Sequence, residues 1–71
     1  MADINYAVER KRRQTAEIIA RMTGYKYADV LEVLQNLGVH GNWTPEELRN
    51  RPVDYDELAE IIEEELEHGI Y

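Results

Sequence analysis

AEIIARMTGYKYADVLEVLQNL, residues 16–37, decides the fold. Two segments with apolar residues at three- and four-residue steps meet there at Thr23-Gly24, a spacing that predicts two amphipathic helices joined by a tight turn. Gly24 suits the left-handed backbone that ends a helix, and Tyr25 beyond it can fold back as an apolar contact. The second helix of the pair, helix B, is expected over 27–37. Tyr27, Val30, Leu31, Leu34 and Leu37 make its buried stripe with Val33 at the margin, while Asp29, Glu32, Gln35 and Asn36 face outward. Gly38 stops it and places Val39 over Leu34.

Upstream, Asp3 can cap a helix A over 3–22, in which Ile4, Val8, Thr15, Ile18, Ile19 and Met22 recur at helical spacing without Gly or Pro. Arg10, Lys11, Arg12 and Arg13 break that stripe for one turn, which is expected in water or against acids. Downstream, Trp43-Thr44-Pro45-Glu46-Glu47-Leu48 holds the strongest local signal in the chain. Thr44 is the N-cap, Pro45 the favoured first residue, Glu47 closes a capping box, and Trp43 can staple onto Leu48. Helix C, 45–51, is short because Pro52 disfavours helical geometry at Arg51. Val53-Asp54-Tyr55-Asp56-Glu57-Leu58 repeats the capping logic and opens helix D, 55–68, with Tyr55, Leu58, Ile61, Ile62 and Leu66 inward and Gly69 as its stop. Period-two alternation is absent, so the fold class is all-α: one domain over 1–71, a compact bundle of four helices in which B and D pack across A and C joins them.

Composition narrows the function classes. The chain has no cysteine, which removes disulfides, thiolate nucleophiles and sulfur-rich metal sites, and fits a reducing cytoplasm. No apolar run approaches the ~20 residues of a membrane span and no signal-peptide layout is present, so a cytoplasmic protein is expected. The net charge of −7 is divided unevenly. Residues 1–26 carry six cations against three acids, net +3, whereas 27–71 carry two cations against twelve acids, net −10.

Catalytic and metal readings find little to stand on. His40 is lone in a loop; His68, at a helix end, complements the helix dipole. Asp54-x-Asp56 opens like a calcium loop, but Leu58 and Ala59 occupy positions that need a ligand and a turn glycine. No phosphate-cradling glycine loop or nucleophile constellation is present; no catalytic residue, cofactor or metal is expected.

Two surfaces remain. The acidic one, Asp56, Glu60, Glu63, Glu64 and Glu67 on helix D, is either a solvated face or a surface that docks on a basic protein partner, a habit of small acidic helical proteins of phages and mobile elements. The basic one, Arg10 to Arg13, serves an alternative reading in which the A–B pair acts as a DNA-binding helix-turn-helix. Against that, Asp29 and Glu32 on helix B would meet the phosphates. Because helix D crowds Glu63, Glu64, Glu65 and Glu67 at its own C-terminal end, the Arg10 to Arg13 band is expected alongside that end, from the same chain or from a second copy.

Residues 17–37 resemble the N-terminal helical pair of the bacterial histone-like HU and IHF family, chiefly through Thr23, Gly24, Asp29, Val30, Val33, Leu34 and Leu37. That family forms an intertwined dimer that bends DNA with basic β-arms following the second helix. Here Gly38 cuts helix B short, Lys26 stands where a Ser or Thr cap is usual, and acidic helices take the place of the arms. What the resemblance implies is therefore a helical hairpin that dimerises, without the DNA-binding arms.

Overall fold

The computed structural model describes residues 4–68, with side chains from Tyr6 onward. Four helices follow one another: α1 (Ile4–Thr23), α2 (Tyr27–Leu37), α3 (Pro45–Asn50) and α4 (Tyr55–Glu67). No strand occurs among the described residues. Asp3, the side chain of Ile4 and the 69–71 tail, to which the sequence assigned a cap, an apolar contact and a stop, lie outside them.

The helix ends follow from local chemistry. At the end of α1 the Thr23 hydroxyl donates to the Ile19 carbonyl at 2.8 Å, and Gly24, at φ +81°, closes back onto the Ala20 carbonyl. At the end of α2, Gly38 (φ +71°) donates to Gln35 O and Val39 to Leu34 O, the paired bonds of a left-handed stop. Val39 thereby folds onto the core beside Leu34, as expected. Thr44 and Glu47 form the reciprocal capping box of α3, with bonds of 3.1 and 3.0 Å. The Thr44 backbone N–H, followed by the Arg51 charge, holds the Glu47 carboxyl below its ordinary range. Asp54 caps α4 by accepting from the Glu57 N–H at 3.1 Å. Arg51 and His68 terminate α3 and α4 as C-caps and do not belong to the helices.

α1 is the spine. Its C-terminal half packs against α2 and α4, which also touch each other, and α3 packs on α1 alone. The core joins Ala16 and Ile19 of α1, Val30, Val33 and Leu34 of α2, and Ala59 and Ile62 of α4. Tyr25, Leu31, Tyr55, Leu58 and Leu66 lean on its edge, and Val8 and Leu48 are buried outside it.

The expected stripes shift in register. Ile18, Met22, Tyr27, Leu37 and Ile61 are exposed, while Ala16, Val33 and Ala59 are buried. A helix that touches one neighbour buries one stripe, but the C-terminal half of α1 divides its face between α2 and α4. Helix axes approach closest over small side chains, so Ala16 and Ala59 mark contact lines that a count of large apolar residues passes over. On α2 the buried arc centres on Val30, Val33 and Leu34, which leaves Tyr27 and Leu37 at its margins.

Candidate functional site

Two regions carry unusual chemistry: the loop 38–43 with the basic turn of α1 beneath it, and the outer face of α4.

The loop is built on the stop that ends α2. Past Gly38 and Val39, His40 also takes a left-handed backbone, φ +64°, uncommon for a residue with a Cβ. That conformation turns its ring inward, where it is only 3% exposed and its Nε2 lies 3.0 Å from Thr15 Oγ1 of α1. Trp43 packs an edge on the imidazole at 4.5 Å, and the Arg51 guanidinium covers the Trp43 ring at 4.5 Å. Beneath the loop, Arg12 Nε donates to the Val39 carbonyl at 2.6 Å. α2 has no basic residue in its own last turn, so Arg12 brings a cation to that helix end from another element. Burial, followed by the charges of Lys11, Arg12 and Arg51, lowers the His40 pKa from 6.5 to about 4. The ring is therefore neutral at physiological pH, with a buried Nδ1 that has no hydrogen-bond partner among the described residues.

A hydroxyl 3 Å from an imidazole is the spacing of a nucleophile and its base. Thr15, however, is fully buried, so the pair acts as a clasp between the loop and α1. His40, lone in sequence, is thus an organising residue of the domain. A cleft of about 310 Å³ beside it is lined by Trp43, Arg51, Pro52, Asp54 and Glu57 among others.

The four consecutive basic residues Arg10 to Arg13 of α1 do not act as one band. Arg12 is engaged with Val39 and lies partly buried, neither in water nor against acids as the sequence suggested. Arg13 makes a loose exposed pair with Glu9 at 3.9 Å. Arg10 and Lys11 line a groove of about 270 Å³ between α1 and α3, together with Arg49 and the apolar Ala7, Pro45 and Leu48.

On α4, Asp56, Glu60, Glu63, Glu64 and Glu67 are all exposed and fall within one arc of ~100° at 100° per residue, opposite the buried Ile62. None of them takes part in an ion pair among the described residues; the ion pairs present are Arg13–Glu9, Arg21–Glu17 and Arg51–Glu47. The expectation that Arg10 to Arg13 of the same chain lie along the end of α4 is not met. That end reaches the α1–α2 turn, where desolvation, then the charges of Glu67 and Glu63, raise the Tyr25 pKa. Arg13 lies ten residues before Thr23 on α1, ~15 Å back along the helix.

Among the described residues no group of three or more His, Asp or Glu could hold a metal ion, and no helix is long and apolar enough to cross a membrane. No family model, curated protein or solved structure matches the chain.

Proposed function

We propose that the protein is a non-enzymatic protein-binding module that docks on a basic partner through the carboxylate strip of α4, as an acidic regulator or inhibitor of a host factor borne by a phage or mobile element. The observation that carries this reading is the arc of five exposed carboxylates, none in an ion pair among the described residues. Near a helix C-terminus each carboxylate is disfavoured by roughly 0.3–1 kcal/mol at low salt, and a partner's cations would relieve that repulsion. The strip lies on a rigid helix anchored by Ile62 and Ala59, so its charges are presented in fixed register.

DNA binding through α1–α2 has weaker support. α2 exposes Asp29 and Glu32 and contains no cation over Tyr27–Leu37, and Arg12 is already committed to Val39. The experiment is a capture from bacterial lysate, with and without nuclease, comparing the parent with Asp56→Asn, Glu60→Gln, Glu63→Gln, Glu64→Gln, Glu67→Gln combined. A protein retained by the parent after nuclease and lost with the variant supports the reading. Capture that disappears with nuclease, or persists with the variant, overturns it.

A further inference from the structure

The groove between α1 and α3 offers three cations, Arg10, Lys11 and Arg49, over an apolar floor of Ala7, Pro45 and Leu48, and no carboxylate lines it. None of the three cations takes part in an ion pair among the described residues, in contrast to Arg13, Arg21 and Arg51, each paired with a carboxylate four positions earlier in the chain. A groove of this kind suits an acidic helix. We propose that it receives α4 of a second copy of this chain, through Glu60, Glu63, Glu64 and Glu67, so that copies associate by pairing one molecule's acidic strip with another's basic groove. The proposal rests on the reading that the α4 strip is a binding face, and it names one occupant for the opposite side.

Three observations converge on that occupant. The charges are complementary and form no ion pair among the described residues. They do not meet within one molecule: no α4 residue lines the groove, and no ion pair among the described residues joins the two. The lengths also agree: Ala7 to Gln14 and Glu60 to Glu67 are each eight residues, ~10 Å of helix from first to last. Since groove and strip are different patches, the contact is complementary rather than self-complementary, and its products are closed rings, reciprocal pairs or chains. The net charge of −7 opposes association at long range. At about 150 mM salt the Debye length of ~8 Å confines that repulsion and leaves the contact pairs in force.

The test is a charge exchange read by sedimentation. One variant reverses the groove (Arg10→Glu, Lys11→Glu, Arg49→Glu) and another reverses the strip (Glu60→Lys, Glu63→Lys, Glu64→Lys). At about 150 mM salt and concentrations up to about 1 mM, where weak contacts populate, the parent should show a mass that rises with concentration. Each variant alone should stay monomeric, and their mixture should associate again, because each then carries the complement of the other. A third variant with the same change in net charge on other faces (Glu17→Lys, Asp29→Lys, Glu32→Lys) keeps groove and strip intact and should associate as the parent does, which separates loss of the strip from a change in net charge. Lys11 is half-buried, so thermal unfolding checks each fold, and Arg10→Gln with Arg49→Gln, both exposed, should weaken parent association without touching it. A parent that stays monomeric throughout, or folded reversed variants that do not associate when mixed, overturns the proposal. If the parent is monomeric yet the neutralised strip abolishes capture from lysate, the second-copy contact falls and the basic-partner reading stands; the converse pair of results separates them the other way.

Discussion

Thr15 and His40 meet in the interior, Oγ1 to Nε2 at 3.0 Å, across 25 positions of sequence, and this contact fastens the loop between α2 and α3 to the middle of α1. Both groups are buried, so neither can exchange its partner for water without opening the loop. Thr15→Val keeps the side-chain shape and removes the hydroxyl, leaving the imidazole with no partner at either nitrogen. The expected loss is about 1–3 kcal/mol of unfolding free energy by urea titration, the cost of a buried unsatisfied polar group. A midpoint within error of the parent's would mean that the hydroxyl contributes nothing to holding the loop.

The same ring sets a pH dependence. Its pKa is lowered on folding from 6.5 to about 4, so as pH falls the unfolded chain takes up the proton first. Stability from this group is complete above pH 6.5, declines between 6.5 and 4, and is lost below the folded value, by up to about 3 kcal/mol. His40→Asn, which accepts the left-handed backbone and does not titrate, should flatten that slope. Trp43 is the only tryptophan and touches the ring, so its emission in the folded protein should titrate near pH 4. A parent and variant with parallel stability–pH curves would contradict this.

Arg12 and Arg13 are neighbours with different work. Arg12→Gln removes a charged donor from a partly buried carbonyl and should cost about 1.5–3 kcal/mol, with little dependence on salt. Arg13→Gln breaks only an exposed pair at 3.9 Å and should stay within about 0.5 kcal/mol. Thermal unfolding of the two single variants at low and high salt makes the comparison; equal effects would mean that the Val39 contact is not held in solution.

Glycine at the end of α2 is a torsional requirement. A Cβ at Gly38 would meet nothing within 4 Å, so Gly38→Ala tests the backbone alone. At φ +71° the expected cost is about 1–2 kcal/mol. Gly41 differs, because a Cβ there would lie 2.9 Å from the Gly38 carbonyl oxygen and 3.2 Å from Arg12 Nη2. Gly41→Ala should therefore couple to Arg12→Gln in a double-mutant cycle, whereas Gly38→Ala and Arg49→Gln should add independently.

Helix number, order and ends were legible from the residues because they depend on local chemistry. Thr44 and Glu47 cap each other, Asp54 caps α4, and Gly24 and Gly38 supply left-handed turns, all within a few positions of the helix they end. The acidic strip was legible for a similar reason, since residues on one face of one helix share their orientation whatever the helix packs against. Which apolar stripe is buried was only partly legible: it depends on where α2 and α4 cross α1, and so Ala16 replaced Ile18 and Val33 replaced Tyr27. Only the tertiary structure decided the role of His40, whose ring meets Thr15 of α1 and Trp43, itself covered by Arg51 from beyond α3. It also divided the run Arg10 to Arg13 into a helix-end cation, a surface pair and a groove, and placed it away from the α4 end it was expected to neutralise. Local rules act over one or two turns of helix; the hydrogen bonds Thr15–His40 and Arg12–Val39, across 25 and 27 positions, are set by packing, which no short stretch of sequence contains.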